Sequence, residues 1–230
     1  MTDASMVQRV RKERLYALFA EIAGALASGR RLELVDLLAQ APRTVEELAR
    51  ETHMSVANTS QHLQRLKQAR LVVGDREGLY VRYRLADEAV ARVWVELRAV
   101  AAQQNAEVER ALDAYRQRRH EFEAISAAEL RERLARDEVV LLDVRPRVEY
   151  EAGHLPQALP APREELERQL EGLPSDRVIV AYCRGPYCVI ADEALAVATA
   201  QGREVRRLEE GVVEWRQAGY PVSNLSLIHI

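Results

Sequence analysis

Apolar residues recur at helical spacing through the first part of the chain. Residues 4–28 have a helix-like pattern, and residues 30–40 follow with another. The apolar side chains of the second segment share one predicted buried side: Leu32, Leu34, Val35, Leu37 and Leu38. Thr44 and Glu47 have the spacing of a capping box, in which each side chain bonds the other residue's backbone N–H. A short third helix is therefore predicted to begin there.

A fourth helix is predicted over residues 55–68, with Ser55 as its N-cap. Thr59, Leu63 and Leu66 would face inward. The outward positions are amide or basic: Asn58, Gln61, Gln64, Arg65 and Gln68. Two short helices joined by a tight turn, the second presenting such side chains, are typical of a helix-turn-helix.

A β-hairpin is predicted next, over residues 71–85, with Gly74 and Gly78 bracketing its turn. Side chains alternate between the two faces of a strand. This alternation would place Leu79, Val81, Tyr83 and Leu85 on one face of the hairpin, and Tyr80, Arg82 and Arg84 on the other. Arg76 would lie at the tip. This pattern indicates a wing whose arginines reach phosphates or a minor groove while the preceding helix enters the major groove.

Candidate DNA contacts follow from these two elements. Amide side chains such as Asn58 and Gln61 suit base edges because they donate and accept hydrogen bonds at once. The alternative is an ordinary solvated helix and hairpin. The full predicted set is Ser55, Asn58, Gln61, His62, Gln64, Arg65, Arg76, Arg82 and Arg84.

The pattern changes in the second half of the chain. After a hinge at 121–125, Ser126 caps a helix, and two apolar segments at 139–144 and 178–182 read as buried strands. A helix at 189–202 follows the second strand. Alternating strands and helices predict an α/β domain with a parallel sheet, whose ligands bind at the carboxyl ends of the strands.

Both cysteines of the chain lie at such a strand end, within the letters CRGPYC. No apolar run is long enough to span a membrane, and the N-terminus lacks the apolar core of a signal peptide, so we expect a cytoplasmic protein. Structural disulfides are rare in that compartment, which favours reactive or metal-binding thiols.

The charge is distributed unevenly within a net value of −3. Basic residues outnumber acidic ones over 1–120, and the reverse holds over 121–230, which suggests different partners for the two halves.

Cys183 is the predicted nucleophile. A loop that runs into a helix N-terminus directs backbone N–H groups at one point, and Arg184 adds a positive charge, so we expect the pKa of Cys183 to be lowered. The alternative is a buried, inert cysteine.

Over residues 15–120 the first half resembles a winged-helix repressor of the ArsR family. The resemblance is plainest in the stretches RRLELVDLL and TVEELARETHMSVANTSQHLQRLKQARLVVGDREGLYVRYRL. The resemblance implies a homodimer that binds a palindromic double-stranded DNA operator and releases it on induction. It also implies a dimer contact through the first helix and a last helix over 86–119, with an apolar stripe of Val90, Val93, Trp94, Leu97 and Val100. Arg70 stands where the family commonly has glycine.

Metal sensing is disfavoured by the residues available. The predicted third helix has no cysteine, the helix over 86–119 has no histidine, and His53 with His62 alone cannot complete a tetrahedral zinc site. We therefore predict neither a metal nor another cofactor.

The second half resembles a rhodanese domain over residues 126–222, through LLDVRPRVEYEAGHLPQA, VIVAYCRGPYC and EEGVVEWRQAGYPV. The resemblance implies that Cys183 accepts a sulfane sulfur from a small donor or persulfide. It further implies that Asp143 and Arg145 support the loop, together with the turn at Gly153 and His154. The remaining loop positions are Arg184, Gly185, Pro186, Tyr187 and Cys188. Cys188 stands where many such loops have Arg or Thr, so the loop has fewer charged groups to bind a dianion, which puts classical thiosulfate activity in doubt. Phosphatase activity is not expected.

Two questions stay open at this point. Cys188 either resolves a persulfide on Cys183 or only packs beneath the loop. The chain is either a DNA-binding regulator that reads sulfane sulfur or a sulfurtransferase whose winged helix serves dimerisation or targeting, and a rhodanese domain that only docks a partner is a third reading. The predicted domains are 1–120 and 126–222, followed by a tail at 223–230, of which 225–230 resembles a translated sequencing adaptor.

Overall fold

The computed structural model describes residues 3–118 and 120–224. The chain forms two compact units that divide between Trp94 and Val95. The predicted architecture is confirmed, with a mainly helical winged unit followed by an α/β unit. Among the described residues, none of the helices has the length and apolarity needed to cross a bilayer. The predicted adaptor segment lies outside the described residues.

The first unit contains the predicted helices and hairpin. Its elements are α1 (Asp3–Leu26), α2 (Gly29–Gln40), β1 (Arg43–Thr44), α3 (Val45–Glu51), α4 (Val56–Gln68), β2 (Val72–Glu77), β3 (Tyr80–Leu85) and the start of α5 (Glu88–Gln104). The three strands form an antiparallel sheet in the order β1-β3-β2. The core is built on completely buried leucines of α2, α3 and α4: Leu34, Leu48, Leu63 and Leu66.

Both predicted helix starts of the helix-turn-helix are confirmed. Thr44 and Glu47 form the reciprocal capping box of α3. The Ser55 hydroxyl accepts a hydrogen bond from the backbone N–H of Asn58, which satisfies an otherwise unpaired donor of α4. Thr59 is buried on the inner face of α4, as predicted.

The predicted turn of the wing is wrong in one respect. Gly74 lies inside β2, opposite Tyr83, and Gly78 with Leu79 forms the turn. Gly78 adopts a φ of 62°, which glycine accepts without steric cost. Leu79 is therefore 93% exposed at the tip instead of belonging to an inner face, and Val81 is exposed as well.

The predicted single helix over 86–119 is also wrong. It is two helices, α5 (Glu88–Gln104) and α6 (Ala106–Tyr115). Asn105 between them has extended backbone, and its side-chain oxygen accepts the N–H of Glu107 at 3.0 Å, so it caps α6. An asparagine side chain competes for backbone hydrogen bonds and so favours a cap over a helix interior.

The end of α4 shows what the Arg70 position requires. Arg70 adopts a left-handed φ of 58°, and the following Leu71 N–H bonds the Leu66 carbonyl at 3.0 Å. The geometry that glycine usually supplies is therefore formed here by an arginine.

We expect Arg70→Gly to stabilise the first unit by about 1 kcal/mol, because glycine adopts this conformation without the strain of a Cβ. Hydrogen exchange of peptides from α2 and α4, measured at increasing urea, reports on this unit. Lys67→Gly, inside α4, is the control and should destabilise the same peptides by about 1 kcal/mol. Faster exchange of these peptides in Arg70→Gly than in the unaltered chain would contradict the expectation.

The second unit contains the end of α5, α6, and then β4 (Ala124–Ile125), α7 (Ala127–Ala135), β5 (Val139–Asp143), α8 (Arg147–Ala152), β6 (Leu159–Pro160), α9 (Leu166–Glu171), β7 (Val178–Tyr182), α10 (Ile190–Ala200), β8 (Val205–Leu208) and α11 (Val212–Gln217). The five strands are all parallel, in the order β4-β8-β7-β5-β6. The last residues of the predicted hinge form β4, which pairs with β8. Apolar clusters cover both faces of the sheet, so its central strands are buried.

Candidate functional site

The outer face of α4 carries the predicted base-reading residues. Asn58, Gln61, Gln64 and Arg65 are exposed, and His62 is half-buried. The inward residues Thr59, Leu63 and Leu66 lie on the opposite side, so these four side chains share one accessible face. This face has the length and the donor and acceptor groups that a major groove requires.

The arginines of the wing are more constrained than the sequence indicated. Arg82 donates to Glu77 at 3.2 Å and to the Pro42 carbonyl at 3.0 Å, and lies 3.6 Å from Glu47 of α3. Arg84 is paired with Asp75 at 2.7 Å. Arg82 therefore anchors β3 to the residues before α3. Arg76, by contrast, is exposed and donates to the Gly78 carbonyl at the tip.

The cysteine loop spans residues 183–189, between the carboxyl end of β7 and the start of α10, as predicted. Cys183 is 1% exposed and its thiol lies near two loop carbonyl oxygens, 3.6 Å from Cys188 and 3.9 Å from Gly185. Cys188 is half-buried, and both cysteines are free thiols in the same loop.

The predicted lowering of the Cys183 pKa is wrong. Burial raises the pKa of Cys183 well above its usual range, and the hydrogen bond with Cys188 adds to this. The same hydrogen bond lowers the pKa of Cys188 to about 7, with help from the backbone N–H groups of Ile190 and Arg184.

Arg184 does not supply the charge expected at Cys183. Its guanidinium donates to both oxygens of the completely buried carboxylate of Glu149, from Nη2 to Oε1 at 2.6 Å and from Nε to Oε2 at 3.1 Å. The guanidinium of Arg207 in β8 donates a hydrogen bond to the Cys183 sulfur at 3.9 Å. The signal that could have located Arg207 was weak: it is a charged residue within a strand, β8, that pairs on both sides and ends in buried positions.

The loop rests on a buried cluster of charges that sequence analysis missed. Asp192 of α10 accepts hydrogen bonds from Arg116 at 2.8 Å and from Arg207 at 2.5 Å, and both arginine side chains are completely buried. Glu209, partly exposed, pairs with both arginines. We call Arg116, Asp192, Arg207 and Glu209 the charge cluster.

The charge cluster holds the carbonyl groups of the loop. Arg207 donates to the carbonyls of Cys188 at 3.0 Å and Gly185 at 3.3 Å, while Arg116 donates to that of Pro186 at 2.5 Å. Arg116 follows α6 directly, so the end of this helix is tied to the loop. Each carbonyl that the loop turns inward in this way finds a charged donor.

A further arginine contacts the outer part of the loop. Arg98 of α5 forms an ion pair with Glu214 and lies over the ring of Tyr187, 5.3 Å from its centroid. Glu214 in turn accepts the Gly211 N–H at the start of α11.

Asp143 and Arg145 occupy a supporting position. They form a completely buried ion pair at 2.6 Å, and Arg145 also donates to the Gly153 carbonyl at 2.7 Å. The Tyr182 hydroxyl donates to Asp143 and accepts the Leu155 N–H. The pair thus links the ends of β5 and β7 to the turn at Gly153 and His154.

The winged helix-turn-helix and the parallel α/β unit with its cysteine loop define a protein that joins a DNA-binding fold to a rhodanese fold. A family model of arsR-family bacterial regulatory proteins matches residues 28–73, and the rhodanese-like domain model matches residues 126–218. The chain is 46% identical over 215 residues to the HTH-type transcriptional regulator Rv0324 of Mycobacterium tuberculosis, with 94% of each chain covered. It therefore belongs to the ArsR family of transcriptional regulators, with a rhodanese domain in its second half.

Other relatives match one half each. A sulfurtransferase of Allochromatium vinosum is 31% identical over 99 residues, which cover 43% of this chain and 92% of that protein. The homodimeric winged helix-turn-helix DNA-binding domain Mb0332 of Mycobacterium bovis is 39% identical, with a TM-score of 0.41, and the match covers 46% of this chain and 93% of that one.

Proposed function

We propose that this regulator binds operator DNA as a homodimer and that its affinity for the operator responds to sulfane sulfur at Cys183 and Cys188. The observation that carries the proposal is the pair of free thiols in the loop at the carboxyl end of β7, a loop whose carbonyl groups are held by the charge cluster. Because Arg116 and Arg98 bind that loop from α6 and α5, a change in loop shape acts directly on these helices. The sulfur comes from a small persulfide donor.

The dimer and its palindromic operator are supported by exposed apolar side chains. Among the described residues, α1 exposes a continuous series of large apolar groups: Met6, Val7, Val10, Leu15, Tyr16, Leu18, Phe19 and Ile22. On α5, Val93, Leu97 and Val100 of the predicted stripe are exposed too, whereas Val90 is buried and Trp94 bonds Asp36 at 2.6 Å. Apolar surface of this extent marks a protein contact.

DNA binding through α4 and the wing is tested by two substitutions of different kinds. We expect Gln61→Ala to relax the preference among operator sequences, because its amide reads base edges. Arg76→Ala should weaken binding to all sequences alike, because this arginine is expected to contact phosphate. The slope of log affinity against log salt concentration should fall by about one in magnitude. The operator is first selected from a random duplex library, and affinities are then measured by fluorescence anisotropy at several salt concentrations.

Arg110→Ala is the matched control, since this arginine is exposed on α6, where its partner is Glu107 of the same helix. It should leave both the affinity and the salt dependence unchanged. Operator binding that is the same in all three variants would refute the assigned surface. Arg82 and Arg84 are poor choices for this test, since their replacement also removes contacts within the wing.

The response to sulfur is tested on the same operator. We expect complete persulfide treatment to change the affinity by about 5–150-fold, which is the usual range of allosteric coupling. The chain with both Cys183→Ser and Cys188→Ser should bind DNA normally and show no change on treatment. An affinity that is equal before and after complete modification would remove the sensing role.

A sulfurtransferase whose winged unit only dimerises or targets it is the second candidate function. The similarity to the sulfurtransferase of Allochromatium vinosum, which extends over nearly all of that protein, favours it. It predicts repeated transfer of sulfur from a persulfide to a thiol acceptor without any change in operator affinity. The affinity measurement above therefore discriminates between the two functions.

A further inference from the structure

We propose that Arg207 is a catalytic residue of the cysteine loop, where its guanidinium stabilises the negative charge that the Cys183 sulfur carries as a thiolate and as a persulfide. This inference rests on the proposed function, because it concerns the sulfur chemistry of the same loop. Arg207 belongs to β8 and not to the loop, so it acts on the sulfur from the sheet.

Arg207 contacts the sulfur and the two carbonyl groups beside it. Its Nη2 atom lies 3.9 Å from the Cys183 sulfur, 3.0 Å from the Cys188 carbonyl oxygen and 3.3 Å from that of Gly185. The same two oxygens lie 3.6 Å and 3.9 Å from the sulfur. One guanidinium therefore contacts the sulfur and both of its polar neighbours.

The two carbonyl oxygens determine what an anion at this position needs. They accept a hydrogen bond from the Cys183 thiol, but they repel a thiolate, which has no proton to donate. When the thiol ionises, Arg207 still donates to both oxygens, and its positive charge offsets the negative ends of the carbonyl dipoles. Without that cation, the loop would favour the neutral thiol.

The register of the sheet explains why an arginine of β8 reaches this point. Arg207 is paired with Ala181 of β7. Side chains two residues apart on a strand point to the same face, and Ala181 and Cys183 belong to one buried cluster. The small side chain of Ala181 leaves room for the long side chain of Arg207 to extend toward Cys183.

The balance of buried charges also favours an anion at Cys183. The side chains of Arg116, Arg207 and Asp192 are almost completely buried, so two positive charges face one negative charge. Glu209 pairs with both arginines, but its side chain is 36% exposed and water screens its charge. A thiolate or persulfide at Cys183 supplies the negative charge that the three buried side chains lack.

The pKa of Cys183 responds to Arg207 in the direction that this geometry requires. Burial raises the pKa of Cys183, and the charge of Arg207 acts in the opposite sense. Loss of that charge should therefore raise the pKa of Cys183 further. Further titratable groups around the loop are common to all the Arg207 variants compared below: Tyr115, Glu149, Arg184 and Cys188.

The transfer that Arg207 supports needs a donor persulfide, R–S–SH, as its only co-reactant. The Cys183 thiolate attacks the outer sulfur of the donor, the donor's S–S bond breaks, and R–S⁻ departs. The proton of the transferred sulfur passes to R–S⁻, which leaves as R–SH. The negative charge thus moves from Sγ to the added sulfur, about 2.05 Å farther along, and Arg207 neutralises it before and after the transfer.

The first experiment measures the ionisation of Cys183 in the full chain, without a sulfur donor. Each variant is treated briefly with iodoacetamide over a range of pH, and modified peptides are quantified by mass spectrometry. We expect Arg207→Gln, which keeps hydrogen-bond donors but loses the charge, to raise the midpoint of Cys183 alkylation by about one pH unit and to slow alkylation about tenfold below it. Arg207→Lys keeps the charge and loses the forked donors, so its midpoint should lie between those of Arg207→Gln and the unaltered chain.

Arg206→Gln is the matched control. Arg206 is the neighbouring residue of β8, and its partners are Glu123 at 3.1 Å and Glu204 at 3.2 Å. Because adjacent side chains on a strand point to opposite faces, this variant should leave the midpoint of Cys183 alkylation unchanged. Equal midpoints in Arg207→Gln and Arg206→Gln, with normal hydrogen exchange of β5 and β7 peptides in both, would overturn the inference.

A second measurement uses the unaltered chain, so it decides the question even if Arg207→Gln does not fold. The guanidinium nitrogen signals of Arg207 are followed by NMR through the pH range in which Cys183 ionises. We expect these signals to shift with the midpoint of Cys183 alkylation and to show no such transition in Cys183→Ser. The same pH profile in both chains would overturn the inference.

The third experiment adds glutathione persulfide to the unaltered chain, Arg207→Gln and Arg206→Gln. We expect Arg207→Gln to gain sulfur on Cys183 about tenfold more slowly, in proportion to its thiolate fraction, and Arg206→Gln to react at the original rate. Equal rates in all three overturn the inference but leave the proposed function standing if operator affinity still changes. No sulfur uptake by the unaltered chain refutes the proposed function, while alkylation and NMR still decide whether Arg207 stabilises the thiolate.

Discussion

Asp192→Ala will lower the free energy of unfolding of the second unit by about 3–5 kcal/mol. The carboxylate of Asp192 is the partner of Arg116 and Arg207, whose side chains are completely buried. Among the residues that the structure describes, its removal leaves the partly exposed Glu209 as the remaining acidic partner of the two buried guanidinium groups. Hydrogen exchange of peptides from β5 and β7 at increasing urea measures this unit specifically.

Glu193→Ala is the matched control, because the next residue of the same helix is exposed and lies 3.5 Å from the exposed Arg163. An exposed pair of this kind contributes at most about 1 kcal/mol. A loss in Asp192→Ala no larger than that in Glu193→Ala would mean that Glu209 alone compensates the arginines. Asp192→Asn should lie between the two, since it keeps an acceptor oxygen and loses the charge.

Gly211→Ala is expected to displace the cysteine loop. A Cβ on Gly211 would lie 2.7 Å from the Arg184 carbonyl carbon, 2.8 Å from the Gly185 nitrogen and 2.9 Å from the Cys183 carbonyl oxygen. All three are backbone atoms, so the overlap is relieved only by moving the loop or α11. The cost of forced overpacking is about 1–3 kcal/mol.

The consequence for chemistry is a changed pH profile of cysteine alkylation by iodoacetamide, because the displaced backbone atoms belong to the loop that carries both thiols. Gly172→Ala is the control: its Cβ would meet only the Gln169 carbonyl at an ordinary 3.6 Å, and its backbone is right-handed helical. We expect this variant to keep both the stability and the alkylation midpoint. An unchanged midpoint in Gly211→Ala would show that the loop tolerates the displacement.

The helices and strands of both units were largely predictable because their signals are local. The Thr44 capping box, the Ser55 cap and the inward set Thr59, Leu63 and Leu66 each depend on residues within about one to three helical turns. The buried strands β5 and β7 were equally evident as apolar runs. The motif around Cys183 located the loop at the strand end.

The errors have different physical causes. The break at Asn105 depended on whether one side chain would cap a helix or be tolerated inside it, which propensity alone does not decide. The expected lowering of the Cys183 pKa assumed that Arg184 faces the sulfur, yet Glu149, 35 residues earlier, binds that arginine. Burial, which is a property of the folded unit, then raised the pKa instead.

Caps, periodicity and short motifs act over a few residues, so the order of the elements, the helix-turn-helix with its wing, the parallel α/β unit and the position of the two thiols were already contained in the amino-acid sequence. The burial that raises the pKa of Cys183, and the choice of Arg116 and Arg207 as the arginines that hold the loop, followed only from the tertiary structure. The contacts responsible join residues far apart in the chain, such as Arg116 with Asp192 over 76 positions and Arg207 with Cys183 over 24. Electrostatic effects depend on distance and burial in space, so no local pattern reveals them.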